Sequence, residues 1–318
     1  MIRHYNIPVF VPHKGCPNDC VFCNQKKITG QQEGSPDEAE KIIEEHLSTM
    51  ERPYFAEIAF FGGSFTGIEL SLQKKYLEIA KKFVDSGDVD GIRLSTRPDY
   101  ISAEILDMLK SYGVTAVELG AQSMDDGVLR KNHRGHSADD TKKAVTLLKE
   151  YGFETGLQMM TGMYGSDAKT DLFTGMEIAK LSPDTVRIYP TIVLSDTMLE
   201  KLFESGEYIP PSLDESVEVC AKLHGIFDEK GIKIIRTGLQ STDTICEKGN
   251  IVAGAYHSAF GELVLSRIFR DEMEEKVKNG EKVIFVPKKQ LSVAIGQKKT
   301  NIKYFKEKYG VDIEVKSI

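Results

Sequence analysis

Three observations predict an α/β fold: a parallel sheet curled into a partial (βα)6 barrel, followed by a small α+β module. Short apolar runs alternate with amphipathic helical stretches through the first three-quarters of the 318 residues. The run Glu57–Gly63 (EIAFFGG) ends on paired glycines, as a buried parallel strand does. From about Gly261 the character changes, and a charged helical stretch leads into a lysine-rich tail of mixed helix and strand.

Each unit follows from its own pattern. Ile7–Val11 (IPVFV) reads as the first strand and precedes a cysteine-bearing loop. Ser35 and Pro36 start a helix over Asp37–Met50, with Asp37 and Glu38 facing its positive end. After the Glu57–Gly63 strand, helices at Leu72–Asp85, Ala103–Tyr112, Ala138–Tyr151 and Asp171–Leu181 each lead to a strand. Those strands are Ile92–Thr96, Ala116–Ala121, Gly156–Met160 and Thr185–Tyr189. A Pro/Ser-rich loop then precedes a helix at Leu213–Lys230, and Lys233–Thr237 extends the sheet at its edge.

Strand–helix alternation implies right-handed crossovers and a parallel sheet. Six units fall short of the eight that close a barrel, so the sheet stays open, with its working face at the C-terminal strand ends. Residues 1–260 are taken as the barrel and 261–318 as the second module, which runs helix, strand, helix, loop, helix, strand.

With 41% hydrophobic and 28% charged residues, the composition is that of an ordinary globular chain. No apolar stretch approaches the roughly 18 residues of a membrane span, and the first residues lack a secretory pattern, so a cytoplasmic setting with no membrane partner is expected. The net charge of −7 is unevenly spread. From Lys282 onward nine lysines face three acids (Glu307, Asp312, Glu314), so a +6 tail sits on a −13 body. A basic end on an acidic body suits a polyanion, and a solvated lysine-rich surface is the plainer reading.

Five cysteines, an odd number, argue against a disulfide framework. Cys16, Cys20 and Cys23 stand in the spacing C-x3-C-x2-C directly after the first strand. Closely spaced thiolates on one loop suit an iron–sulfur cluster, and three ligands leave one iron of a cubane open. A structural zinc completed by His4 or His13 is the alternative. Cys220 occupies an apolar helix position, and Cys246 lies in a polar loop.

Cys16, Cys20, Phe22 and Cys23 together resemble the C-x3-C-x-aromatic-C signature of the radical S-adenosylmethionine (SAM) superfamily. That resemblance implies a 4Fe–4S cluster on the three cysteines, with SAM chelating the fourth iron. It also implies one-electron cleavage to methionine and a 5′-deoxyadenosyl radical, fed by a low-potential donor such as ferredoxin or flavodoxin. Gly62, Gly63 and Ser64 expose backbone at a strand end, and the resemblance makes them the contact to the SAM amino group. Ser64 stands where the family has an acid, so backbone carbonyls or the hydroxyl must serve.

Other candidates sit at strand ends, which face the site in a parallel barrel. Ser95, Arg97, Gln122 and Ser123 are expected to touch the SAM ribose or the substrate. Arg134 has the fork geometry for a carboxylate, and the resemblance assigns it that of SAM. Gln158, within the fifth strand, is a candidate for the adenosine or the substrate. Tyr256 and His257 are candidate substrate contacts or radical relays, with a packed loop as the plain reading.

The succession FFGGSFTG, LSTRPD, ELGAQS, RGHS and YHSAFGELVLSR resembles the radical SAM domain of Elongator's catalytic subunit and its short bacterial relatives, over about Ile7–Arg267. In that family the domain works on the wobble uridine of tRNA. Elongator's acetyl-CoA-binding domain has no counterpart in this sequence, so the expectation stops short of carboxymethyl transfer. The stretch Ala294–Val315 resembles the helix–GxxG–helix–strand core of a KH domain, with Gly296, Gln297, Lys298 and Lys299 as the phosphate-clamping loop and Lys303 behind it. Lys299 replaces the second glycine, and Asn301 is expected to cap the following helix.

The expected activity is therefore RNA modification by an RNA-modifying transferase, on tRNA or alternatively ribosomal RNA, with no DNA partner. A radical SAM enzyme acting on a porphyrinogen-like small molecule and a non-catalytic zinc-bearing RNA-binding protein are the competing readings.

Overall fold

The computed structural model describes residues 3–11, 20–24, 35–240 and 249–318. Cys16, His13 and Cys246 lie outside the described residues. The chain opens with β1 (Arg3–Phe10), α1 (Pro36–Ser48) and β2 (Tyr54–Phe61). It continues through α2 (Leu70–Asp85), β3 (Gly91–Thr96), α3 (Ala103–Ser111) and β4 (Val114–Gln122). Next come α4 (Asp126–Lys131), α5 (Ala138–Glu150), β5 (Glu154–Thr161), α6 (Ala168–Leu181) and β6 (Thr185–Pro190). After β7 (Ile192–Leu194) and α7 (Met198–Glu204) follow α8 (Leu213–Glu229), β8 (Lys233–Thr237) and β9 (Ile251–Gly254).

The helices begin where their side chains satisfy the first free amides. Ser35 with Glu38, Ser137 with Asp140 and Ser212 with Glu215 form reciprocal capping boxes on α1, α5 and α8. Asp167 caps α6 through the Thr170 N–H.

Seven strands pair in parallel in the order β1-β2-β3-β4-β5-β6-β8, forming a curled, open half-barrel. Successive side chains of a strand alternate between faces. Ile58, Phe60, Leu94, Leu119, Leu157 and Ile188 point outward to the helices and form the main core. The opposite, concave face carries Glu57, Arg93, Glu118, Gln158 and Arg187, all of which the alternation places inside the barrel.

Lys233–Thr237 joins the sheet as its edge strand, as the sequence predicts. The stretch read as a Pro/Ser-rich loop differs: it holds β7 and α7, and β7 pairs antiparallel with β9. A three-residue strand and a seven-residue helix are too short for hydrophobic periodicity to register. The short α4 was missed for the same reason.

The second module begins inside a helix. α9 (Phe260–Lys278) contributes Phe260 and Val264 to the barrel core, but Met273 and Val277 to a separate core with Ile284, Val286, Ala294, Phe305 and Ile313. Beyond it lie β10 (Val283–Val286), α10 (Leu291–Ile295), α11 (Thr300–Tyr309) and β11 (Glu314–Ser317), with β10 and β11 parallel. One correction falls here: Asn301 does not cap α11. Its buried amide donates to the carbonyls of Ser266 (2.9 Å) and Ala294 (3.0 Å), joining α10 to α9. No described helix is long and apolar enough to cross a membrane.

Candidate cluster and cofactor site

The parallel strands all end on one side, so the residues following them share a rim. Gly62 follows β2 with φ 98°, a left-handed conformation that favours glycine. The Ser64 hydroxyl bonds to Thr96 Oγ1 (3.0 Å) and accepts the Arg97 N–H (3.1 Å). Of the two contacts expected toward the SAM amino group, the hydroxyl is thus already engaged within the protein. The backbone of Gly62 and Gly63, half-buried, stays available.

Arg97 is buried and forms a fork-to-fork pair with Asp99 (2.9 and 2.8 Å), beneath the ring of Tyr100. Ser123 is turned toward α6, sharing a hydrogen bond with Thr174 and accepting the Asp125 N–H, so it is not brought to the concave face. Ser95 lies half-buried on that face, and Gln158 stands there in register with Gly120 and Arg187. Gln122 sits at a bulge with φ 64°, and its buried Oε1 has no protein partner among the described residues.

Cys20 and Cys23 share one turn, closed by the Cys23 N–H donating to the Cys20 carbonyl (2.9 Å). Two clamps hold that turn. The Val21 N–H donates to the Asn132 carbonyl (3.2 Å), and the Val21 carbonyl accepts the Leu199 N–H (2.8 Å). Val21 is buried with Val193, Leu199 and Tyr208, so the β7–α7 insertion braces the cysteine turn from the other side. Arg134 reaches Cys20 Sγ with Nη1 (3.5 Å) and the Gly120 carbonyl with Nη2 (2.8 Å).

His136 lies behind this group, with Nε2 on the Ala121 carbonyl (3.1 Å). Burial, reinforced by the Arg134 charge, pushes its pKa down to about 4. An unfolded histidine binds its proton near pH 6.5, so the neutral ring's contribution is intact above that value and is lost as pH falls toward 4. A drop of that size corresponds to on the order of 3 kcal/mol. Denaturant midpoints at pH 7.5 and 5 should converge for wild type and H136N if this group drives the acid sensitivity: the wild type falls, and the variant falls less.

Tyr256 and His257 follow β9, whose Gly254 pairs with Ile192 just past the end of β6. The Tyr256 ring packs with Ile192, Leu194, Leu239 and Ile251, and His257 Nδ1 accepts the Ala259 N–H (3.0 Å) at the start of α9.

A row of largely buried charges crosses the concave face, and no local sequence pattern announces it. Arg93 binds Glu57 (2.7 Å) and Glu118 (3.2 Å), and Arg187 grips Glu118 with two hydrogen bonds (2.6 and 2.9 Å). Burial opposes the Arg187 charge, but Glu118 more than offsets it and raises the pKa. Gly156 makes the row feasible, because a Cβ there would stand 2.9 Å from Glu118 Cγ. The available signal was one charged residue inside each of four apolar strands: Glu57, Arg93, Glu118 and Arg187.

The donor set suits a thiophilic iron cluster, since two described thiols share one turn and Cys16 precedes them in sequence. Next to Cys20, Arg134 Nε and Gln122 Oε1 are buried without protein partners, so polar atoms await a polar group from outside. The residues present fit both the cluster and a polar cofactor beside it.

Comparison with known proteins agrees. The Radical SAM superfamily model matches residues 10–171, and the Radical_SAM C-terminal domain model matches 183–270. The chain is 33% identical over 228 residues to the tRNA uridine(34) acetyltransferase of Methanocaldococcus infernus, covering 65% of this chain and 42% of the relative. It is 34% identical over 136 residues to human Elongator complex protein 3, covering 42% of this chain and 25% of the relative. It thus spans less than half the length of these curated relatives. The solved structure of the archaeal M. infernus Elp3 with an N-terminal deletion superposes with a TM-score of 0.66 at 26% identity, over 87% of this chain and 64% of that one. Coproporphyrinogen III oxidase of Escherichia coli shares the fold, with a TM-score of 0.50 at 18% identity over 72% of this chain and 53% of that one. Radical SAM proteins use a 4Fe–4S cluster and SAM. On the match over residues 10–171 and the cysteine turn that lies within it, this chain belongs to the radical SAM superfamily of enzymes.

Proposed function

We propose that this enzyme reductively cleaves SAM to modify RNA, with a tRNA nucleotide as its target. The observation that carries the RNA reading is a division among the lysines of the second module. Lys306, Lys308 and Lys316 are neutralised by Asp312, Glu274 and Glu314. Lys288, Lys289, Lys298, Lys299 and Lys303 form no ion pair or side-chain hydrogen bond among the described residues. Unpaired lysines around a helix–turn–helix are a footprint for phosphates.

The backbone of the turn supports that reading. Gly296 has φ 79°, and a Cβ there would meet Thr300 Oγ1 at 2.4 Å and Ser266 Oγ at 2.9 Å. Lys298 and Lys299 follow in left-handed conformations (φ 51° and 61°), with Gln297 beside them. The relatives' names, a tRNA uridine(34) acetyltransferase and Elongator complex protein 3, support tRNA over ribosomal RNA.

In the barrel, Cys16, Cys20 and Cys23 would hold the cluster, which together with SAM supplies radical chemistry at C–H bonds that acid–base groups cannot activate. The Gly62–Gly63 backbone would meet the SAM amino group. Gln158, whose amide makes no hydrogen bond among the described residues, would meet the adenosine or the substrate. Tyr256 and His257 would contact the substrate from the β9–α9 loop. The row from Glu57 to Arg187 lines the barrel interior with paired charges. A ferredoxin or flavodoxin is the electron donor in this reading.

Reversing the charge of Lys298 and Lys299 together should weaken tRNA binding roughly tenfold or more at low salt, with the gap closing as salt rises. RNA-independent formation of 5′-deoxyadenosine should be unchanged. Equal binding by the K298E/K299E variant and wild type at every salt concentration would remove the RNA reading. The target nucleotide then follows from mass spectrometry of nucleosides from cells with and without the gene.

A further inference from the structure

We infer that Arg134 donates a hydrogen bond to the Cys20 sulfur in the cluster-loaded protein and thereby sets how readily the cluster accepts an electron. This rests on the family assignment and is independent of the RNA reading. Nη1 stands 3.5 Å from Cys20 Sγ, while Nη2 is anchored on the Gly120 carbonyl at 2.8 Å. The guanidinium is thus a fixed fork, one tine on the β4 backbone and the other on the ligand sulfur. A Cβ at Gly120 would only touch Nη2 at 3.5 Å, an ordinary contact, but would crowd Gln122 Nε2 at 2.8 Å.

Charge gives the contact its direction. Arg134 is 8% exposed, and no carboxylate pairs with it among the described residues. A buried guanidinium without a counter-ion is costly. A cluster on three thiolates carries net negative charge, and the added electron makes it more negative. The guanidinium therefore stabilises the reduced state more than the oxidised one, and hydrogen bonds to sulfur together with local charge are what tune such potentials. The same turn holds the cysteine segment through the Asn132 carbonyl, so the donor and its acceptor are tied to one another by backbone as well.

The test is the reduction potential of the anaerobically reconstituted protein without SAM, read by EPR during titration with dithionite. R134M should lose about tenfold in the reduction equilibrium, about 59 mV for one electron. R134K, which keeps the charge but not the fork, should fall by less. Iron and sulfide content normalise the comparison. An unchanged SAM-free potential in both variants, with SAM affinity lowered in R134M, would show that Arg134 grips the SAM carboxylate instead and overturn the inference. If the variants fail to take up iron, wild-type protein labelled with 15N-arginine decides by pulsed EPR of the reduced cluster. A 15N coupling in the absence of SAM is expected, and its absence rejects the hydrogen bond.

Discussion

Replacing Glu118 with alanine is expected to destabilise the fold by about 3–5 kcal/mol, a large share of the roughly 5–15 kcal/mol that holds a domain together. Glu118 is 5% exposed and is the acceptor on which two arginines converge. Arg93 keeps Glu57 and Glu154 when Glu118 is lost, but Arg187 loses both of its carboxylate bonds at once. The penalty is therefore mainly that of a partly buried guanidinium left without its counter-ion, not the net worth of the pair. E118Q keeps the volume and one acceptor oxygen and should cost less. Replacing both partners with apolar residues, as in E118M/R187M, should recover most of the loss, because desolvating two charges is itself expensive. Urea unfolding of the four proteins measures this directly. A cost below about 1 kcal/mol for E118A would mean that the row is hydrated and does not hold the barrel floor.

The same row shows where sequence reading stops. Glu57, Arg93, Glu118 and Arg187 each interrupt an apolar run, and singly each looks like a tolerated polar residue. Only the parallel register brings them onto one face, and a register between strands tens of residues apart is not written in any local pattern. The βα units themselves were legible, because the switch between a period of 2 and one of 3.6 is local and recurs across the sheet. The β7–α7 insertion was not, and with it the brace on Val21 was lost from view. Among the candidate contacts, position along a strand placed Gln158 on the concave face. It does not foresee the turn of Ser123 toward Thr174, because the backbone leaves the strand at the bulged Gln122. The reach of Arg134 to Cys20 spans 114 residues of sequence and needed the folded turn at Asn132–Arg134.

Changing either Cys20 or Cys23 to alanine should abolish iron retention and formation of 5′-deoxyadenosine, whereas C220A should leave both intact. The contrast follows from environment rather than residue type. Cys20 and Cys23 share a turn at the strand-end rim, beside a guanidinium and unpartnered polar atoms. Cys220 is fully buried in α8, and burial pushes its thiol up to about 12, so it has no thiolate to offer a metal at neutral pH. Its loss should cost only the packing of one small side chain. Iron and sulfide analysis of anaerobically reconstituted protein, with quantification of 5′-deoxyadenosine after dithionite and SAM, reads all three variants together. Should C20A and C23A retain a full cluster, the cysteine turn is not the ligand set. Should wild type take up one zinc and no iron under the same conditions, the turn is a structural metal site, and the rim of buried polar atoms beside it must serve a ligand other than SAM.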